Sequence, residues 1–106
     1  MSAEIVQKIR DFVGSLYTEY EISSLIDDII PNYVDYEQME EEGLEDEYDY
    51  YSSYGRGEAE SEIHNKIIEE IALHINEPIN DWYFNDKYGD IDEIIYEFYP
   101  QLNVLW

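Results

Sequence analysis

Two histidines, 27 aspartates and glutamates and no cysteine make up the reactive inventory of this chain. His64 and His74 fall toward the apolar side of one predicted helix, with no further His at ligand spacing and no H-E-x-x-H pattern. They read as residues at the edge of a core. A calcium loop needs alternating Asp or Asn ligands, a central Gly and a closing Glu. Around Gly89 the corresponding first, fifth and twelfth positions are Phe84, Tyr88 and Ile95, which excludes that chemistry. Gly55-Arg56-Gly57 lacks the strand and helix context of a phosphate loop and reads as a turn. Without cysteine there is no thiolate nucleophile, thiolate metal site or disulfide. Carboxylate pairs are so common that none stands out as a general acid and base. No catalytic residue, metal ligand or cofactor is expected.

What carboxylates in this number can do is bind cationic groups. From Asp11 to Gly55 the chain holds fourteen of them and no Lys or Arg: Asp11, Glu19, Glu21, Asp27, Asp28, Asp35, Glu37, Glu40, Glu41, Glu42, Glu45, Asp46, Glu47 and Asp49. Further along, a rotation of 100° per residue places Glu58, Glu62 and Glu69 within about 40° of one another, opposite an isoleucine stripe. Asp90, Glu93 and Glu97 repeat the arrangement on the last predicted helix. Steps of four and seven residues separate such side chains by roughly 6 and 10 Å along a helix axis. These spacings are of the order found between phosphates, which recur every roughly 3.4 Å of rise on each strand. A carboxylate accepts the same hydrogen bonds from Lys, Arg and backbone N–H that a phosphate does. Tyrosines accompany the acids. Tyr33, Tyr36, Tyr48, Tyr50, Tyr51 and Tyr54 lie in or beside the acidic segment, and a phenol adds rigid contact area with a hydrogen-bonding tip. Tyr33 and Tyr36 read as core or core-edge residues, while for Tyr48, Tyr50, Tyr51 and Tyr54 the sequence supports interface and packing equally. The candidate partner-binding set is Asp35, Glu37, Glu40, Glu41, Glu42, Glu45, Asp46, Glu47, Tyr48, Asp49, Tyr50, Tyr51, Glu58, Glu62, Glu69, Asp90, Glu93 and Glu97.

Helices must carry these groups. Ile5, Ile9, Phe12, Val13, Leu16 and Tyr20 recur at helical spacing, predicting a helix over 3–20. Ser24 followed by Asp27 resembles a capping box for a second helix containing Leu25, Ile26, Ile29 and Ile30. Pro31 either ends it or opens another, with residues 32–42 as a weaker helical stretch. Residues 40–62 form an acidic, tyrosine-rich segment expected as a loop, with a short β-hairpin or disorder around 44–56. Ile63, Ile67, Ile71 and Ile75 predict a strong helix over 58–76. Trp82, Tyr83 and Phe84 fall in a short helix within 79–88. Ile91, Ile94, Ile95 and Phe98 predict a last helix over 90–99, ended by Pro100. The fold class expected is mainly α, a small helical bundle forming one acidic domain over 1–106, with a radius of gyration of roughly 13 Å.

The chain is 44% hydrophobic, enough to build a core, yet its formal charge is −22. Such an excess destabilises the compact state through self-repulsion, so attraction of a cationic partner is the leading explanation for it. A solvated face that only maintains solubility is the blander one. In size, charge and aromatic-acidic composition the chain resembles the phage-encoded DNA-mimic inhibitors of restriction and CRISPR systems. That resemblance implies a cytoplasmic protein that blocks the DNA-binding groove of a host defence nuclease. An immunity protein for a basic nuclease toxin, or an acidic adaptor subunit that does not compete with DNA, would use similar chemistry. The partner expected is a basic DNA- or RNA-binding protein, with neither nucleic acid nor membrane bound directly; a homodimer is compatible with the same composition. No basic stretch followed by an apolar core marks the first residues, and a cytoplasmic location is expected.

Overall fold

Isoleucine spaced by four residues from Ile63 to Ile75 dictates the longest helix of the fold. The computed structural model describes residues 2–55 and 57–103. In chain order the helices are α1 (Ser2–Leu16), α2 (Glu19–Ile29), α3 (Tyr36–Glu41), α4 (Glu47–Tyr50), α5 (Glu58–Ile75), α6 (Ile79–Trp82) and α7 (Ile91–Phe98). Short 3-10 turns at Ile30–Tyr33 and Pro100–Leu102 and one π-helical turn at Tyr51–Gly55 complete the described residues, which contain no strand. α1 and α2 pack on α5, and α7 packs on α1. Their shared core holds Ile9, Val13, Ile22, Ile26, Ile63, Ile67, Ile71, Trp82, Ile91, Ile95 and Tyr99. Ile63, Ile67 and Ile71 are the inward stripe that the spacing predicts. Among the described residues no helix is long and apolar enough to cross a membrane.

The predicted helix over 3–20 is two helices. Its break has a visible cause: the Tyr99 hydroxyl donates to the Val13 carbonyl and accepts from the Tyr17 N–H at 2.9 Å. Those two backbone groups would otherwise bond to each other across one helical turn, and a side chain inserted there stops the ladder. α2 then begins with a capping box at Thr18 and Glu21, not at Ser24 and Asp27: Glu21 N–H donates to Thr18 Oγ1 and Thr18 N–H to Glu21 Oε1. Tyr20, expected on the inward face, is 81% exposed. Pro31 opens the first 3-10 turn, where its missing N–H is harmless.

The segment 44–56 forms neither hairpin nor disorder among its described residues; α4 runs directly into the π-helical turn. Asp46 caps α4 by accepting from Asp49 N–H at 2.8 Å. In the π-helical turn Gly55 lies so close to the Tyr51 ring that a Cβ there would stand 2.2 Å from it. The molecule is longer than a compact sphere of its mass: its radius of gyration is 16.2 Å, against the roughly 13 Å expected, and its extents are 56 × 26 × 21 Å.

Candidate partner-binding surface

α3, α4 and the π-helical turn form an acidic lobe on the N-terminal half of α5. Asp35 caps α3 by accepting from the N–H groups of Glu37 and Gln38 at 3.1 and 3.2 Å. α3 buries none of its own residues. Glu37, Glu40, Glu41, Glu42, Glu45, Asp46 and Asp49 are exposed and Glu47 is half-buried. Between Asp35 and Gly55 the chain contains no Lys or Arg to neutralise them.

Phenols hold this surface together where cations are missing. Tyr50 donates to Gln38 Oε1 at 2.9 Å, and Tyr54 donates to Glu42, which joins the π-helical turn to α3. The rings of Tyr50 and Tyr54 lie 5.0 Å apart. Tyr33 donates to Glu62 at 2.7 Å, and Tyr51 donates to Glu60, which together fasten the lobe to α5. The Tyr51 hydroxyl also accepts from the buried Ala59 N–H at 2.8 Å. That bond matters locally because the residue before α5 is Gly57, which has no side chain to cap it. A residue from outside the helix supplies the cap.

These bonds shift the phenols in one direction. Acceptance by the neighbouring carboxylate raises Tyr33 and Tyr54 above the ordinary tyrosine value, with burial adding to both. Tyr51 and Tyr83 are raised first by burial and then by their bonds to Glu60 and Asp92. Each such phenol stays neutral, so it orients a carboxylate without cancelling its charge.

The predicted site residues fall into several groups. Glu37, Glu40, Glu41, Glu45, Tyr48 and Asp49 are open to solvent on the lobe, with Tyr48 64% exposed. Asp35, Asp46 and Asp90 are exposed helix caps. Glu58, Glu62 and Glu69 project from α5, as their spacing predicts, and Glu62 is oriented by Tyr33. On α7, Glu93 is exposed, whereas Glu97 accepts from both terminal nitrogens of Arg10 at 3.0 and 2.6 Å, so its charge is compensated. Tyr50 and Tyr51 are corrections: at 6% and 4% exposure they are packed inside, because the helical turns of the segment aim them at Gln38 and α5.

Sequence reasoning missed three oriented carboxylates. Glu60 is held by Tyr51, Glu77 by Tyr88 and Lys87, and Asp92 Oδ1 accepts from Tyr83 and lies 2.7 Å from His64 Nε2. The Tyr88 hydroxyl, with help from Lys87, lowers the Glu77 carboxyl below its usual value. Only the count of tyrosines signalled such pairs in advance. His64 is buried, while His74 is exposed and stacks on Phe12 with ring centres 4.1 Å apart. Among the described residues no three His, Asp or Glu side chains converge as a metal site.

Neither protein-family models, nor curated proteins, nor solved structures match this chain. Along its 56 Å length the protein carries 22 net negative charges, where duplex DNA of that length carries roughly 33, at one per about 1.7 Å of axis. A cationic groove built for the duplex would meet about two-thirds of the charge density on this molecule.

Proposed function

We propose that the protein is a DNA mimic: it occupies the basic DNA-binding surface of a partner protein and blocks it sterically, in the manner of phage anti-restriction and anti-CRISPR inhibitors. The observation that carries this reading is the set of carboxylates oriented by neutral phenols. A carboxylate oriented by Lys or Arg is already neutralised and has little field left for a partner. One oriented by tyrosine keeps its full charge in a fixed position, and fixed groups lose less conformational freedom when they bind. Ordered, uncompensated charge is what a phosphate backbone presents. Steering by such a field accelerates encounter and makes it salt-dependent.

The test is capture of partners from a host lysate at low salt, followed by elution with duplex DNA. The protein is then compared with a variant carrying Glu40→Lys, Glu41→Lys and Glu45→Lys, three exposed positions of the lobe. The wild type should retain a DNA-binding protein that DNA displaces, and the variant should associate at least about tenfold more slowly while keeping its helical spectrum. A partner that binds DNA and this protein together would overturn the reading and favour an adaptor role. Unchanged association of the variant would show that the lobe is not the contact surface.

A further inference from the structure

The exposed row on α5 does not end in a carboxylate. Glu58, Glu62 and Glu69 share a face that also carries one exposed cation, Lys66, and Leu73 and Asn76 continue it at the next four- and three-residue steps. Leu73 is 76% exposed. A solitary exposed leucine needs no explanation, but this one has company. Ala72, Leu73, Pro78 and Ile79 line an open hollow of about 520 Å³, with Glu69 and Glu77 on its rim. The hollow exists because α5 stops abruptly: Asn76 adopts a left-handed φ of 57°, and the N–H groups of Asn76 and Glu77 both turn back to the Ala72 carbonyl. Pro78 and Ile79 are thereby brought beside Leu73. The carbonyl end of an 18-residue helix adds negative potential at the same place.

We propose that this outer face of α5 binds a basic amphipathic helix of the partner protein, with its cationic side chains on Glu58, Glu62 and Glu69 and one apolar side chain in the Leu73 hollow. Charge complementarity selects this occupant. A second copy of the chain would bring another 22 net negative charges against the same acidic face, and like charges in contact are strongly unfavourable. A cationic segment is attracted by Glu69, the rim carboxylate that is not paired with a lysine as Glu77 is with Lys87, and fills the hollow. From Glu62 to Leu73 is eleven residues, or about 16 Å along the axis, a span that a facing helix of similar length covers. DNA offers no apolar side chain there, so the hollow distinguishes a protein partner that carries one from other proteins with equally basic grooves. The inference rests on the mimic reading only in taking the partner to be basic.

The probes are two lysine-rich helical peptides of about 16 residues, one with leucine along a single face and one with glutamine in place of each leucine. Affinity is measured by titration, and the site is read from the methyl resonances of Leu73 and Ile79. The leucine peptide should bind about tenfold more tightly, as expected for partial burial of one leucine side chain, and should shift both sets of methyls. Leu73→Asp adds a negative charge, so purely electrostatic binding would strengthen in it. The proposal instead requires that the tenfold preference disappear in this variant while its helical spectrum is retained. Leu73→Ser, which leaves the charge unchanged, should lose the preference equally. Equal affinity for the two peptides, tighter binding of both to Leu73→Asp, or a Leu73-dependent dimer in sedimentation velocity would overturn it. Should the peptides fail to discriminate while DNA still displaces the captured partner, the hollow is excluded and the mimic reading stands. If DNA fails to displace the partner but the leucine preference holds, the reverse conclusion follows.

Discussion

Tyr51→Phe removes one oxygen atom from the junction between the acidic lobe and α5. The ring remains, so packing against Gly55 and the core is unchanged. What is lost is the acceptor for Ala59 N–H, at 2.8 Å and in a buried residue, and the donor to Glu60. Helix α5 has no side-chain cap of its own because Gly57 precedes it. Loss of a cap costs about 0.5 to 2 kcal/mol, and an unsatisfied buried N–H about 1 to 3 kcal/mol; these describe the same bond and are not added. Glu60 is only half-buried, so water replaces most of the second interaction. The net expectation is about 2 kcal/mol. With an unfolding entropy of about 2.1 cal/mol/K per residue over 106 residues, that lowers Tm by about 9 °C. Calorimetry gives the shift, and amide hydrogen exchange shows where it originates: protection should fall first in residues 46–55 and at the start of α5. Tyr48→Phe is the control, since Tyr48 points to solvent. If Tyr51→Phe melts within about 2 °C of the wild type, a shift worth under about 0.5 kcal/mol, and exchange in the lobe is unchanged, the hydroxyl does not cap α5 and the account of the junction is wrong.

Alkaline pH should unfold the protein cooperatively. Burial is the main cause that raises Tyr51, Tyr83, Tyr96 and Tyr99 above the ordinary value of 10.0; the stability this contributes is complete below that value and is lost as pH rises through the folded values. Tyrosinate absorbance should therefore rise together with loss of helical circular dichroism, and independent titration near pH 10 with helicity retained would contradict the buried placement of these phenols. Asp92→Ala removes the acceptor shared by Tyr83 and His64 and should cost about 2 kcal/mol in urea denaturation. Asp92→Asn keeps one acceptor oxygen and should lose less; equal stability of Asp92→Ala and wild type would show that solvent satisfies these groups.

Legibility followed the range of the interaction. The isoleucine rows of α5 and α7 are local, and those helices lie within a residue of their expected limits, at Glu58–Ile75 and Ile91–Phe98. The break after Leu16 is made by Tyr99, 82 residues further along, and periodicity across Leu16 and Tyr20 concealed it. A nearer signal existed in Thr18 and Glu21, which have capping-box spacing. The lobe was illegible for a different reason. Its composition is that of a solvated loop, and its order comes from Tyr50, Tyr51 and Tyr54 reaching partners eight to twelve residues away. Likewise Tyr48, Tyr50 and Tyr51 are equivalent in sequence, and only the turn geometry separates the exposed one from the two that are packed inside. The outward rows of α5 were readable because a helix converts spacing directly into direction. The compensation of Glu97 by Arg10 was not, since it joins α7 to α1.

Using tyrosine in place of lysine to position carboxylates also separates two responses to ionic strength. Mobile ions screen the outward field over a Debye length of about 8 Å at physiological salt. A phenol-carboxylate hydrogen bond is made at contact, within that length, and its donor carries no net charge to be screened. In an array held by ion pairs, salt would weaken the scaffold along with the attraction. Here salt can silence the attraction while Tyr33, Tyr51 and Tyr54 keep Glu62, Glu60 and Glu42 in register. If the surface binds a basic partner as proposed, release in high salt leaves it assembled and ready for another encounter on dilution.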